Sequence, residues 1–400
     1  MKDNIEVNVM KKTIKILSFF IVCALLCLGL VYQSAGVAEA QAIGDKISPD
    51  VTAKSALLVE KTSGIVLYEN NADKKLPMAS MTKLVGLGVV FDALEQGKIK
   101  LDQKVIVSKE AADMEGSEAF LDAGKLYLIE DLIKTVIISS ANDSMVALAE
   151  SVSGSESNFV RKMNELADDL GMNDSMFSNS TGLPCADHYS TPRDMVKIYK
   201  KICDNAVYKK YANVWIDELV HPSGRKTQLV NTNRLVKFYK GATGGKTGFT
   251  NEAGFCLTAS AKKGDMELIA VVFGDESSKS RFASITSMFD YGFDNFENRV
   301  VVKKGEKVGA ISIKGAKEKE TAVYASKDYV RLLTKGEKFE CNTALETYHV
   351  KAPISANTKV GSLLILDHNN IVVDEIDVVT GKDIEPIRAI DIMHDIFKVW

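Results

Sequence analysis

The hydrophobic period of this chain changes along its length, and the change limits the folds that it can adopt. Between Leu84 and Ile202 apolar residues recur every three or four positions, which is the period of an amphipathic helix. From Gly241 onwards they form short runs bounded by turn residues, a pattern typical of strands. The sequence therefore predicts a mixed protein in which a group of helices is followed by β-structure.

Turn and cap residues divide this pattern into separate elements. Pro77 and Gly97 bound one apolar stretch, and Thr191 with Pro192 begins another, since these residues start and stop helices. We expect hairpins over residues 55–69 and 255–273, and helices over about 78–96, 129–137, 143–154, 159–170, 192–202 and 280–296.

Two further segments follow Asn298. Residues 299–380 contain short alternating segments separated by turns, which predicts a small all-β domain. Residues 381–400 place Ile384, Trp400 and other apolar residues on one broad side of a helix, mostly opposite the charged residues. Such an amphipathic helix fits either an interfacial membrane contact or packing on the β-domain or on a partner.

Residues 1–42 have the composition of a secretory signal peptide. Three lysines precede an apolar run over residues 16–32, and small residues follow at a spacing that fits a signal-peptidase site. An uncleaved membrane anchor is the alternative, because this run reaches the lower limit for a bilayer span. Acidic residues before Met10 indicate that translation starts at Met10. Cleavage would leave residues 43–298 as the first folded domain.

Charge balance and residue spacing disfavour several classes of protein. A formal net charge of -3, without a local lysine or arginine cluster, disfavours nucleic-acid binding. The five histidines lack ligand spacing, so we expect no metal site. The cysteines that remain after the signal are widely spaced, and we expect separate buried thiols at Cys185, Cys203, Cys256 and Cys341.

Ser80 and Lys83 form the first element of a candidate catalytic site. Residues three apart lie on one face of a helix, so the Ser80 hydroxyl and the Lys83 amine would share one space. The positive end of the helix dipole favours a Ser80 alkoxide and a neutral Lys83, which could act as a base. A Ser-x-x-Lys pattern alone arises often by chance, and a capping serine beside a solvated lysine is the alternative.

Two later motifs supply what acyl transfer still needs. Ser140, at the junction of two predicted helices, could pass a proton to the leaving nitrogen, and Asn142 could hold a substrate amide. Lys246 adds a second cation, which favours a neutral Lys83 and attracts an anionic substrate. Gly248 lets a substrate backbone lie against the strand. Together, and in this order, the three motifs indicate a serine acyl-transfer site.

These motifs and their surroundings resemble the serine-type penicillin-recognising enzymes. Within that group they resemble the low-molecular-mass penicillin-binding proteins that act as D-alanyl-D-alanine carboxypeptidases, peptidase family S11. The resemblance runs from about residue 50 to the end of the chain. The segments that carry it are Pro77–Lys83, Ser140–Asp143, Phe177–Leu183, His188–Thr191, Asn231–Asn233 and Gly245–Thr250. Ala141 replaces a glycine frequent in relatives, and this departure removes no reacting group.

The resemblance implies a fold and a set of site residues. The fold is α/β (α+β): a β-lactamase/transpeptidase-like domain with an antiparallel sheet and a helical cluster, then the small all-β domain and the amphipathic helix. The backbone N–H groups of Ser80 and Phe249 would form the oxyanion hole. Thr247 and Arg281 would hold the terminal carboxylate of the substrate. A surface helix cation is the alternative interpretation of Arg281.

The function that the resemblance implies is removal of the terminal D-alanine from peptidoglycan stem pentapeptides, without metal or organic cofactor. β-Lactam antibiotics would be covalent inhibitors. The expected location is the outer face of the cytoplasmic membrane, with peripheral contact through the C-terminal helix. A β-lactamase is disfavoured, because residues 176–179 lack the glutamate that would activate water. An endopeptidase or transpeptidase using the same acyl-enzyme stays open, and an inactive scaffold is a remote alternative.

Overall fold

The computed structural model describes residues 48–318 and 320–388. The predicted signal peptide, residues 1–42, lies outside these residues, as does the last part of the predicted C-terminal helix, residues 389–400. Among the described residues, no helix combines the length and the apolar character needed to cross a membrane.

A five-stranded antiparallel sheet forms the centre of the first part of the chain. The strands here are β1 (Ser55–Glu60), β2 (Val66–Asn70), β3 (Lys104–Ile106), β4 (Leu126–Leu128), β5 (Ile216–Val220), β6 (Lys226–Val230), β7 (Ala242–Thr250), β8 (Gly254–Lys263) and β9 (Met266–Asp275). The central sheet has the order β2-β1-β9-β8-β7, and every pairing is antiparallel. Strand β7 therefore lies at an edge, where one side has no strand partner. Both predicted hairpins are confirmed.

Helices cover both faces of this sheet. They are α1 (Lys83–Glu95), α2 (Lys109–Ala112), α3 (Ile129–Ile138), α4 (Asn142–Ser153), α5 (Glu156–Asp169), α6 (Pro192–Cys203), α7 (Ala206–Ala212), α8 (Leu235–Phe238) and α9 (Ser278–Asn295). Each predicted helix is present, although the first begins later than expected. The start of α6 follows the sequence signal: the Thr191 side chain accepts a hydrogen bond from the Asp194 N–H, and Pro192 occupies the first turn.

Each face of the sheet buries its own hydrophobic core. Helix α1 is buried almost all round, by the sheet and by α4, α5 and α6, so its apolar residues do not form a single stripe. Helix α9 covers the opposite face, where Ile285 and Phe289 are fully buried in a core shared with Leu58 and Leu268. This layered arrangement confirms the predicted α/β (α+β) fold with its helical cluster.

An all-β region follows α9 directly. Its strands are β10 (Phe296–Val302), β11 (Lys307–Ile311), β12 (Thr321–Ala325), β13 (Tyr329–Thr334), β14 (Asn342–Thr347), β15 (Lys359–Leu366) and β16 (Val372–Thr380). Strands β10 and β13 pair, and the others form a sheet in the order β11-β12-β16-β15-β14 around a separate core. The all-β prediction is confirmed, and the first strand begins shortly before residue 299, the expected start.

The structure corrects the predicted helix over residues 381–400 in its described part. Residues 381–388 are not helical, and Ile384 exchanges backbone hydrogen bonds with Ile354 at 2.8 and 3.1 Å. Ile384 is buried at 4% exposure in the core of the all-β region. Pro386 lacks an N–H and disfavours a helix at this point. Any amphipathic helix must therefore begin after residue 388, outside the described residues.

The four described cysteines are separate free thiols, as predicted. Cys203 and Cys256 are buried, but Cys185 is exposed and Cys341 is half-buried, so the expectation of burial is wrong for these two. Cys185 lies in a surface segment in which residues 184–187 are all exposed.

Candidate active site

Ser80 lies on a 3₁₀ turn over Ala79–Thr82, ahead of α1, and not inside one continuous helix. The predicted helix over residues 78–96 is wrong at its start because Ala79 has a φ of 48°, which an α-helix does not allow. Close contacts impose this turn. A Cβ added at Gly182 would lie 2.0 Å from the Ala79 carbonyl oxygen, and one at Gly248 would lie 2.4 Å from that of Met78.

Lys83 is completely buried and reaches Ser80. Its Nζ lies 2.9 Å from the Ser80 Oγ and donates to the Thr181 carbonyl oxygen at 2.7 Å. Burial lowers the pKa of Lys83 to about 7, and the nearby Asp143 charge opposes this shift. A lysine with this pKa is neutral in a large fraction at neutral pH, so it can accept the Ser80 proton while donating to Thr181.

Ser140 and Lys246 form a second hydrogen-bonded pair in this site. Ser140 lies between α3 and α4 with a φ of 66°, and Lys246 Nζ donates to its Oγ at 2.7 Å and to the Thr247 carbonyl oxygen at 2.9 Å. Burial, followed by the charges of Lys83 and Arg281, lowers the pKa of Lys246. The charge of Lys83 thus lowers the pKa of Lys246, whereas burial alone lowers the pKa of Lys83, and the predicted effect of Lys246 on Lys83 does not contribute.

Asn142 begins α4 and faces a loop that precedes α3. Its Nδ2 donates to the Glu115 carbonyl oxygen at 2.5 Å, and its backbone N–H donates to the Ser117 carbonyl oxygen at 2.6 Å. Its Oδ1 is buried and has no hydrogen-bond partner among the described residues. An unpaired buried acceptor is unfavourable unless a ligand satisfies it, so this oxygen is available to a substrate N–H.

Asp143 holds the same loop in place, a role that the sequence analysis missed. Its fully buried carboxylate accepts backbone hydrogen bonds from Ala119 and Leu121, each at 3.0 Å, and from Ser144 at 2.8 Å. The sequence feature that could have indicated this role is the position of Asp143 directly after Asn142. Asp143 fixes the wall of the site, and these bonds occupy its carboxylate.

Edge strand β7 brings the last motif to Ser80. A Cβ on Gly248 would lie 3.3 Å from the Ser80 backbone nitrogen, so the strand passes directly beside that N–H group. Thr247 Oγ1 donates to Thr232 Oγ1 at 2.8 Å. The next residue, Phe249, is half exposed and stacks on Phe255 with ring centroids 4.3 Å apart. The unpaired edge offers backbone groups to an extended substrate.

Arg281 is a buried contact of β7 and not a surface helix cation. It is 8% exposed, and its Nη1 donates to the carbonyl oxygens of Gly248 at 3.0 Å and Cys256 at 3.3 Å. Its Nε is buried without a hydrogen-bond partner in the described part of the chain. Burial lowers its pKa to about 10, so the guanidinium stays charged at neutral pH.

A chain of hydrogen bonds supports the turn that carries Ser80. The Ser178 N–H donates to His188 Nδ1 at 3.0 Å, which assigns the ring proton to Nε2. Nε2 lies 2.7 Å from Thr82 Oγ1, which donates to the Ala79 carbonyl oxygen at 2.8 Å. Burial lowers the pKa of His188 to about 4, so the ring is neutral at neutral pH. From the sequence alone, His188 belongs to a segment that resembles the family, and no role is predicted for it.

The structure thus brings the predicted residues together in two bonded pairs, Ser80 with Lys83 and Ser140 with Lys246, beside Asn142 and the β7 edge. A Ser-x-x-Lys turn facing these groups, between an antiparallel sheet and a helical cluster, defines the serine-type penicillin-recognising class. Within the described ranges, no group of three or more His, Cys, Asp or Glu side chains could hold a metal ion.

Comparisons with known proteins narrow this class. The D-alanyl-D-alanine carboxypeptidase family, peptidase S11, matches residues 41–277, and the penicillin-binding protein 5 C-terminal domain matches residues 296–386. The chain is 39% identical to the D-alanyl-D-alanine carboxypeptidase DacF of Bacillus subtilis over 352 residues, which cover 87% of this chain and 90% of the relative. The chain therefore belongs to the D-alanyl-D-alanine carboxypeptidase family.

Solved structures agree with this assignment. Penicillin-binding protein 5 from Haemophilus influenzae superposes with a TM-score of 0.71 at 28% identity, covering 85% of this chain and 99% of that one. A Streptomyces K15 DD-transpeptidase superposes with a TM-score of 0.58 at 29% identity, covering 62% and 100% respectively. The predicted family, enzyme class and cell-wall function are confirmed: the protein is a serine-type D-Ala-D-Ala carboxypeptidase of peptidoglycan, and it acts outside the cytoplasm.

Proposed function

We propose that Ser80 carries the acyl-enzyme through which the protein removes the terminal D-alanine from peptidoglycan stem pentapeptides. The observation that carries this assignment is the 2.9 Å contact between Ser80 Oγ and the Nζ of a buried Lys83 whose pKa is about 7. This distance is within reach of direct proton transfer. A nucleophile paired with its own neutral base needs no metal or organic cofactor.

In the acylation step, Lys83 takes the proton of Ser80 as the oxygen attacks the carbonyl carbon of the penultimate D-alanine. The backbone N–H groups of Ser80 and Phe249 stabilise the tetrahedral oxyanion. Ser140 then relays to the leaving nitrogen the proton that Lys83 took, and the C–N bond breaks. Because Ser140 accepts a hydrogen bond from Lys246, its own hydroxyl proton is free to point towards the substrate.

Substrate binding uses groups on both sides of the nucleophile. Asn142 Oδ1, which lacks a partner among the described residues, accepts from a substrate amide. Arg281, which stays charged at neutral pH, and Thr247 hold the terminal carboxylate, and Lys246 lies next to Thr247 on that side of the site. Gly248 has no side chain that would separate a bound backbone from the edge strand.

Water hydrolyses the Ser80 ester slowly when its acyl group comes from a β-lactam. Among the described residues, the hydrogen bonds of Lys83 go to Ser80 and Thr181, and no carboxylate joins them. The nearby Glu156 instead accepts from the backbone and hydroxyl of Ser180 at 3.0 and 2.6 Å. We therefore favour a carboxypeptidase that penicillin inhibits over a β-lactamase.

Mass spectrometry of a synthetic pentapeptide ending in D-Ala-D-Ala tests the reaction. The wild type should release one D-alanine and leave a tetrapeptide, whereas a transpeptidase would attach an added amine acceptor. Nitrocefin hydrolysis is the second measurement. Slow formation of one equivalent of product per enzyme molecule supports the proposal, and rapid multiple turnovers would overturn it in favour of a β-lactamase.

We also propose that residues 1–42 are a cleaved export signal, that residues 43–298 and 299–380 are the two folded domains, and that the end of the chain contacts the outer face of the cytoplasmic membrane. The apolar run of residues 16–32 supports export. The apolar residues after Arg388, which include Ile392, Phe397 and Trp400, support the contact.

A further inference from the structure

The all-β region contains a cavity of about 520 Å³, which we call the β12–β16 cavity. Four segments of this region line it: Lys304 and Gly305 before β11, Tyr324–Ser326 at the end of β12, Asn357 before β15, and Val379–Gly381 at the end of β16. None of the residues proposed for catalysis is among them. The volume lies in the range of roughly 300–1,000 Å³ that is typical of ligand pockets.

Tyr324 provides an aromatic wall of the β12–β16 cavity. It lies opposite Val379 in the pairing of β12 with β16, and it is half-buried. A Cβ added at Gly381 would lie 2.4 Å from the Tyr324 ring, so the absence of a side chain there lets the ring pack on the backbone. The Tyr324 hydroxyl makes no hydrogen bond to a described residue. This side chain therefore offers an apolar surface and a free polar tip.

Three further polar side chains that line the cavity have no described partner. Asn357 has a φ of 60°, and its backbone N–H donates to the Thr380 carbonyl oxygen at 2.8 Å, which fixes the turn. Its side-chain amide, the Ser326 hydroxyl and the Lys304 amine make no hydrogen bond or ion pair with a described residue. Together they offer hydrogen-bond donors and acceptors to a ligand.

The same walls disfavour several classes of ligand. Strand β12 pairs with β11 and β16, and β16 pairs with β12 and β15, so neither has a free edge to which a peptide could add as a strand. Lys304 is the one charged residue among the described residues that line the cavity, which is little for a polyanion. Ala325 and Val379 are the only aliphatic ones among them, which is little for a lipid chain.

A sugar ring fits these walls. A pyranose has an apolar face of C–H groups, which can pack on the Tyr324 ring, and a rim of hydroxyl groups, which can bond to Ser326 and Lys304. An N-acetyl group adds an amide N–H and C=O that match the donor and acceptor of Asn357. Peptidoglycan, on which this enzyme acts, carries its stem peptides on a chain of such N-acetylated amino sugars.

We propose that the β12–β16 cavity binds the glycan chain of peptidoglycan through its N-acetylated amino sugars. The site performs no chemistry, and the inference goes beyond the reaction proposed at Ser80. Because the cavity and Ser80 belong to one chain, a bound glycan raises the effective concentration of its stem peptides near the enzyme. A free pentapeptide, which carries no sugar, does not gain this advantage.

Binding of a β-1,4-linked tetramer of N-acetylglucosamine to the full-length protein tests the site. Calorimetric titration should show saturable binding by the wild type and by Ser80→Ala, because no acyl-enzyme is required. Cellotetraose has the same linkage without acetamido groups, and it should bind at least about tenfold more weakly. Absence of saturable tetramer binding would overturn the inference and leave the proposed function of Ser80 standing. Equal affinity for cellotetraose would overturn the assignment to amino sugars.

Variants of the cavity provide the second measurement. Tyr324→Leu removes the aromatic ring, and Asn357→Gly removes the amide while keeping a residue that adopts a positive φ. Each should weaken tetramer binding at least about tenfold and lower D-alanine release from intact peptidoglycan relative to release from free pentapeptide. Asn357 is exposed, so its replacement tests the site even if Tyr324→Leu folds poorly.

Tyr348→Leu is the matched control. Tyr348 is a tyrosine of the same all-β region, 50% exposed, and it does not line the cavity. This variant should bind the tetramer as the wild type does. Equal losses of binding in Tyr324→Leu and Tyr348→Leu, or full binding by both cavity variants, would contradict the assignment.

Discussion

At the scale of single residues, the proposed site depends on the buried amine of Lys83. Lys83 is fully buried yet carries no ion pair with a described residue, and its hydrogen bonds go to the Ser80 hydroxyl and to a backbone carbonyl. An ammonium group is poorly solvated in such a position, so the neutral form gains relative to water. The surroundings therefore make Lys83 a candidate base, and the Ser80 hydroxyl lies within hydrogen-bond distance of it.

The pH dependence of acylation follows from this. Because the pKa of Lys83 is lowered to about 7, protonation below that pH removes the base, and the acylation rate should fall as pH decreases through about 7. Above it the rate should reach a plateau. The measurement is the second-order rate constant for labelling by a fluorescent penicillin from about pH 5 to about pH 9. A rate that still rises without a plateau at about pH 9, as expected for a lysine with its ordinary pKa of about 10.4, would show that Lys83 is not tuned as described.

Thr82 gives a second prediction at this scale. Thr82→Val keeps the shape but leaves the Ala79 carbonyl oxygen without its hydroxyl donor and His188 Nε2 without its acceptor. An unsatisfied buried group costs about 1–3 kcal/mol, so we expect a lower melting temperature and acylation about tenfold slower. Thr82→Ser, which keeps the hydroxyl, is the matched control. Equal behaviour of the two variants would show that the hydroxyl does not position the turn.

The sequence was sufficient to propose the candidate reacting residues that the structure brings together, because their chemistry is tied to residue type and spacing. It did not reveal Asp143, Thr82 or His188 as supports. Their contacts join segments as far apart as Thr82 and His188, 106 positions along the chain. No local pattern encodes such a pairing.

At the scale of elements, the turn that carries Ser80 is shaped by its neighbours. Ala79 has a positive φ because the loop at Gly182 and strand β7 at Gly248 press on the turn from two sides. Helix α1 begins only after this turn, at Lys83. The apolar run correctly predicted the helix. It could not predict the 3₁₀ start, which depends on contacts with residues about a hundred or more positions away.

Gly248→Ala tests this packing. The new Cβ would lie 2.4 Å from the Met78 carbonyl oxygen and 3.2 Å from the Ala79 Cβ, so β7 must move away from Ser80. We expect penicillin acylation to fall by about tenfold or more, since small displacements of reacting groups slow catalysis strongly. Gly264→Ala is the control: its φ of 60° strains the backbone, but the β8–β9 turn offers open space. That variant should lose stability and keep its acylation rate. Unchanged acylation in Gly248→Ala together with slower acylation in Gly264→Ala would contradict the account.

At the scale of the whole molecule, the two parts described here have separate cores and a direct connection. Strand β10 follows α9 without a linker, and Asn298 Nδ2 donates to Glu60 Oε1 at 3.0 Å. The change from helical to strand patterning predicted this organisation from sequence. The exact end of the all-β region was not predictable, because Ile384 fits an amphipathic helix as well as it fits the buried position that it occupies.

Two truncations separate the proposed membrane contact of the C-terminal segment from the burial of Ile384 in the β-region core. Deleting residues 389–400 should release the mature protein from membranes and leave its melting temperature and D-alanine release unchanged. Deleting residues 381–400 also removes Ile384 from the β-region core, so it should lower the melting temperature. Membrane fractionation with calorimetry provides both readouts. If the shorter deletion stays membrane-bound after signal cleavage, the proposed contact is wrong.

The central claim is that Ser80 forms the acyl-enzyme. Peptide mapping by mass spectrometry, after labelling with a penicillin and after quenching turnover of the pentapeptide, tests it directly. Both adducts should lie on the peptide that contains Ser80, and Ser80→Ala should lose both adducts and D-alanine release, while Ser157→Ala, at an exposed position, should retain them. An adduct on another residue, or D-alanine release by Ser80→Ala, would contradict the account.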